Sequence, residues 1–169
     1  MLSSCEHCIH AKVMRKFGIQ CCQRNNHLFN ATQRDALSTA ISYNSGVVDK
    51  AAIEKLRDSI QKRINETSSK LSGEPKASAH VAFWCDWAIL NLLEPDDEYD
   101  EKMQQTPSVD GSLARVWSSV ASAVGYHHGG VGGPPPDELL LEHEALADLQ
   151  RKHVPSPTDY PKKNKQQSR

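Results

Sequence analysis

The chain has 169 residues, with 20 Lys and Arg against 21 Asp and Glu and a formal charge of −1. That length suits one domain of ordinary size, and the charge balance excludes a polycation that coats nucleic acid or anionic membrane. The apolar fraction of 38% places part of the chain outside any core, no run nears the roughly eighteen apolar residues of a membrane helix, and Met1-Leu2-Ser3-Ser4-Cys5 lacks the charged and apolar regions of a signal peptide.

Glycines and prolines divide the chain into segments of helical length. Ile9 to Phe17 repeats apolar residues at 9, 13 and 17, and Gly18 stands where a helix-ending glycine would. Thr32 to Tyr43 opens on Thr32-x-x-Asp35, a capping-box variant, and sets Ala36, Leu37, Ala40 and Ile41 on one face. Asp49 is a good N-cap for a helix reaching about Leu71, with Ile53, Leu56, Ile60 and Ile64 as its stripe. Pro75 to Glu94 is apolar nearly all round and stops before Pro95, which predicts a helix at the centre of a bundle. Asp110 to Val124 is predicted to end at Gly125. Asp137 to Lys152, after three prolines, is the last helix. No segment sustains the period-two alternation of a strand.

The fold class that follows is all-α: a bundle of five to six helices. Residues 1–30 are read as an N-terminal Cys/His element, residues 31–153 as the bundle and residues 154–169 as a disordered basic tail. The bundle carries an acidic loop at 94–111, with six carboxylates between Glu94 and Glu101, and a Gly/Pro loop at 125–136. Charge is uneven along the chain, which fits either interaction tails or basic ends that fold back over an acidic middle and neutralise it. Residues 1–34 hold five cations and one carboxylate, residues 35–149 nine and nineteen, and residues 150–169 six and one.

Four of the five cysteines crowd into the first 22 residues: Cys5, Cys8, Cys21 and Cys22, with His7, His10 and His27 nearby. Without a signal peptide the chain is expected in the cytoplasm, where thiols stay reduced, and metal ligation explains such a crowd better than disulfides do. Cys5-x2-Cys8 forms the first half of a tetrahedral zinc site, and Cys21 or Cys22 with His27 supplies the second. Closure needs the chain to turn back after Phe17. An iron–sulfur cluster on the four cysteines and unligated thiols are the competing readings. Cys85, in the most apolar helix, is read as core. No nucleophile elbow, phosphate loop, HExxH or dinucleotide fingerprint is present.

These features point to a zinc-stabilised helical binding or regulatory module, leaning away from catalysis. Its partner would be a protein or nucleic acid met through Lys12, Arg15, Lys16 and Arg24 and the basic tail, with no membrane involved. The alternative is a metal-dependent hydrolase using His127, His128 and His143. A second alternative is a structural or oligomerisation protein pairing through Ile53, Leu56, Ile60 and Ile64. The acidic run offers a further docking surface for a basic partner.

Overall fold

The computed structural model describes residues 11–71, 76–98 and 115–130, together with Leu141, Glu144, Ala145, Ala147, Asp148, Arg151 and Lys152. Most of the described residues are helical, and no strand occurs among them. In chain order the elements are α1 (Ala11–Arg24), a 3-10 turn (Asn26–Leu28), α2 (Ala31–Asn44), α3 (Lys50–Lys70), α4 (Ala77–Leu92) and α5 (Val116–Gly129). The seven scattered residues from Leu141 to Lys152 are helical as well, where the last helix was expected. No helix among the described residues is long and apolar enough to cross a membrane.

Local signals set most of these boundaries. Asn30 caps α2: its side chain accepts from the Gln33 N–H at 3.0 Å while the Gln33 side chain accepts from the Asn30 N–H at 3.0 Å. The capping box therefore starts two residues before the predicted Thr32. Asp49 caps α3 by accepting from the Ala52 N–H at 2.9 Å, as expected. The apolar stripe of α3 buries Ile53, Ile60 and Ile64, with Leu56 half-buried, inside this one chain.

Two helices run past their predicted stops. α1 continues through Gly18 to Arg24, and α5 continues through Gly125 to Gly129. A helix-ending glycine has a positive φ, and among the described glycines only Gly46 (78°) and Gly130 (65°) do. Gly18 serves packing instead. A Cβ there would lie 2.6 Å from Leu92 Cδ2 and 3.2 Å from Val116 Cβ, so the missing side chain lets α1 close onto α4 and α5.

α4 is the central helix, as its composition predicted. It packs most extensively on α5, then on α3, α2 and α1, and touches the 3-10 turn. The core is continuous across all five α-helices, with Phe17, Phe29, Ile53, Ile60, Ile89, Leu92 and Leu93 almost fully buried. α1 and the turn after it, assigned from sequence to the N-terminal element, contribute Met14, Phe17, Cys21 and Cys22 to this same core.

Charge also works across long sequence distances. Arg15 is 0% exposed and lies on the inner stripe of α1. Its Nε donates to the Leu92 carbonyl at 2.9 Å, its guanidinium also donates to the Glu94 carbonyl, and it pairs with Asp96 at 2.5 Å. The Tyr43 ring covers the guanidinium at 4.7 Å. Lys50 meets Asp97 at 2.6 Å and Arg57 meets Glu98 at 3.2 Å. The first part of the acidic run is thus neither a free loop nor a free docking surface. Glu94 and Pro95 are buried, residues 96–98 are helical, and three of the carboxylates bind cations of the chain itself.

Candidate functional site

The 3-10 turn, the start of α4 and the end of α5 enclose a cleft of about 320 Å³. Its lining is His27, Leu28, Asn30, Gln33, Ala77, Ser78, Val81, Ala82, Tyr126 and His127. The helix order explains the meeting. The first turn of α4 and the last turn of α5 lie side by side there, and the short turn after α1 closes the third wall. Leu28, Val81 and Ala82 give the cleft an apolar floor. Six side chains bring hydrogen-bonding atoms, and no Asp or Glu stands among the described lining residues.

Histidines dominate one side of the cleft. The His27 and His127 rings meet edge-to-face with centroids 5.8 Å apart, and His127 meets His128 at 4.9 Å. All three residues are exposed. His80 stacks flat on Tyr126, with centroids 4.3 Å apart and planes 6° from parallel, and its Nε2 is buried with no protein hydrogen-bond partner among the described residues.

The cleft wall is fixed from behind by a polar network. Gln33 is 1% exposed, and its amide donates to the Ala82 carbonyl at 2.9 Å and to Asp86 at 3.0 Å. Arg63 of α3 holds the same carboxylate through two nitrogens, at 2.6 Å and 3.3 Å. The buried Gln33 amide and Asp86 carboxylate, which would cost free energy if left alone, are thereby partnered, and α2, α3 and α4 are locked together under the cleft.

The predicted zinc ligands are distributed differently from the expected hairpin. Cys5, Cys8 and His10 lie outside the described residues. Cys21 and Cys22 are both 0% exposed, while His27 is on the surface against His127. Residues 18–21, which were to carry the chain back towards Cys5, are helical. Among the described residues no three His, Cys, Asp or Glu side chains are placed to enclose an ion. Burial pushes the Cys22 thiol well above its ordinary value, with Cys21 and Cys85 adding to it, and burial beside Asp86 pushes the Cys85 thiol up to about 12. These thiols are held protonated, the state in which cysteine behaves as a small apolar side chain.

The other predicted site residues divide in the same way. Of the basic head, Arg15 is committed to Asp96 in the interior, whereas Lys12, Lys16 and Arg24 are exposed. Of the hydrolase set, His127 and His128 lie on the last turn of α5 rather than in a glycine loop, and His143 lies outside the described residues. Two features escaped the sequence reading. The pairing of His27 with His127 joins residues a hundred positions apart and leaves no local signal. Arg15 had one: positions 11, 14, 15, 18 and 22 form a helical stripe, visible once the helix is carried through Gly18.

Comparison with protein-family models, with curated proteins and with solved structures finds no match to this chain.

Proposed function

We propose that this chain is a helical binding module that takes up a segment of another protein in the cleft between the 3-10 turn, α4 and α5, without catalysis. The observation that carries this reading is the character of the lining: an apolar floor ringed by imidazole, amide and hydroxyl groups on helix ends that a buried polar network holds still. Such a surface orients a partner through hydrogen bonds and shape. Among the described lining residues no Asp or Glu stands ready as a general base, which weighs towards binding rather than hydrolysis.

A protein partner is favoured over nucleic acid because Arg15 is withdrawn from the basic head and Asp96 is drawn up beside it. Both features lower the positive field that phosphates would seek. Free thiols at Cys22 and Cys85 support a reducing compartment such as the cytoplasm. A structural zinc on Cys5 and Cys8 is a separate proposal. Metal analysis tests it: about one zinc per chain, lost when both are replaced by Ser.

The binding reading is tested by selecting displayed random peptides on the full-length protein and mapping the selected ones by NMR. Shifts centred on Leu28, Ser78, Tyr126 and His127 are the expected result. Peptides that map elsewhere, or random duplex DNA that binds at low salt and weakens when Lys12 and Lys16 become Ala, would overturn it.

A further inference from the structure

The cleft brings together two histidines a hundred positions apart in the chain, and their separation points to a ligand class. A first-row metal bound about 2.0–2.1 Å from a ring nitrogen lies about 3.2 Å from that ring's centroid. Two imidazoles sharing one tetrahedral ion therefore have centroids roughly 5.3 Å apart. His27 and His127 stand at 5.8 Å. Both are exposed, so a small rotation about their outer torsions closes the remaining half ångström or so without disturbing the core.

We propose that His27 and His127 form a two-imidazole site for a divalent ion of the zinc, nickel or copper class at the mouth of the cleft. The proposal rests on the reading of the cleft as the binding site and names a ligand for it. Three observations select a metal cation over an anion. The donors are imidazoles, which suit these borderline ions. No Lys or Arg stands among the described lining residues, so nothing with a permanent positive charge awaits an anion there. His127 and His128 also occupy the last turn of α5, where the outward carbonyls carry partial negative charge.

The chain supplies two ligands and leaves the other positions to water or to a donor atom of whatever enters the cleft. That is in keeping with the lack of any enclosing set of three His, Cys, Asp or Glu side chains among the described residues. The site ties the 3-10 turn to the end of α5, two elements that already touch. Its affinity is accordingly that of a pair of fixed imidazoles, weaker than a closed structural site.

The test uses the metal-stripped full-length protein, unaltered and with Cys5→Ser and Cys8→Ser, titrated with zinc at neutral pH by calorimetry and by NMR of the histidine rings. Both proteins are expected to take up zinc, and in the one lacking Cys5 and Cys8 the ring signals of His27 and His127 are expected to shift first. His27→Gln or His127→Gln is expected to weaken binding about tenfold or more, while His128→Gln changes it less than about threefold. Unchanged affinity in both histidine variants, or, in the protein lacking Cys5 and Cys8, loss of all binding or first shifts on other histidines, would each overturn the proposal. If a variant folds poorly, the His27 and His127 ring signals of the unaltered protein, followed beyond its first equivalent of zinc, decide the question. If zinc fails while selected peptides still shift Leu28 and Ser78, the metal site falls and the binding module stands. If zinc binds through both histidines and no peptide does, the metal site stands alone.

Discussion

At the scale of single residues, the most consequential side chain is Arg15. Placing a guanidinium at 0% exposure costs several kcal/mol of hydration, and here two carbonyls, the Asp96 carboxylate and the Tyr43 ring offset that cost. Arg15→Ala would strip two buried carbonyls of their donor and leave Asp96 unpaired. It is expected to lose about 3–5 kcal/mol in urea unfolding. Arg15→Lys should restore little of it, since an ammonium cannot span three acceptors as the planar fork does. Wild-type stability in the lysine variant would refute this account. The buried thiols make a second prediction. An unfolded cysteine ionises near 9.0, whereas folded Cys85 keeps its proton to about 12, with Cys22 shifted in the same direction. Below pH 9 both states hold the proton and nothing changes. Between these values the unfolded chain releases a proton that the folded chain retains, so stability falls as pH rises, by about 1.4 kcal/mol per pH unit for each thiol. Urea unfolding from pH 8 to 11 should show a shallower decline for Cys85→Ala than for the natural chain. Equal slopes would mean that this thiol is not withheld from ionisation.

At the scale of elements, glycine is where sequence and structure part. The stripes of α3 and the all-round apolar character of α4 follow from periodicity, and both helices stand where it placed them. α1 and α5 were each read short because Gly18 and Gly125 look like stops. A sequence shows that a residue lacks a Cβ but not whether a positive φ or a close neighbour requires the lack. At Gly18 the neighbour decides, and this has a measurable sign. Replacing a mid-helix glycine by alanine ordinarily gains about 1 kcal/mol of helix propensity. At Gly18 the new methyl would meet Leu92, which is 0% exposed, and the branch point of Val116, which moves only with its backbone. Gly18→Ala is therefore expected to lower stability by about 1–3 kcal/mol, seen as a lower Tm. A raised Tm would show that α1 does not lie this close to α4 and α5. The α2 cap is a simpler case. Asn30→Ala removes the side chain that accepts from the Gln33 N–H, keeps the backbone N–H that donates to the Gln33 side chain, and should cost about 1 kcal/mol.

At the scale of the whole molecule, three long-range pairings reshape what the linear charge map suggested. The basic head and the acidic run meet inside one chain, through Arg15 and Asp96, and α3 takes the next two carboxylates with Lys50 and Arg57. The cleft likewise exists only because the turn after α1 reaches the end of α5. The charge map allowed the basic head to fold back over the acidic middle without naming the partners, and the cleft left no signal at all, since pairing across eighty or a hundred residues leaves no periodic trace. Both make residues 11–30 part of the bundle's substance. α1 contributes Met14, Phe17, Cys21 and Cys22 to the shared core, fills the notch between Leu92 and Val116, and carries the arginine that ties down the end of α4. A chain starting at residue 31 would expose the apolar faces of α2, α4 and α5 that α1 covers, and leave the Leu92 and Glu94 carbonyls without their donor. Burial of Met14 and Phe17 alone is worth roughly 1.5–3 kcal/mol each, a large share of the stability of an ordinary domain. The shortened chain is expected to keep helical far-UV dichroism, lose cooperative thermal unfolding and bind a hydrophobic dye, as loosely packed helical states do. A sharp transition with a Tm near that of the full chain would instead make the remaining helices self-sufficient, and α1 would then be a lid on a bundle rather than one of its walls.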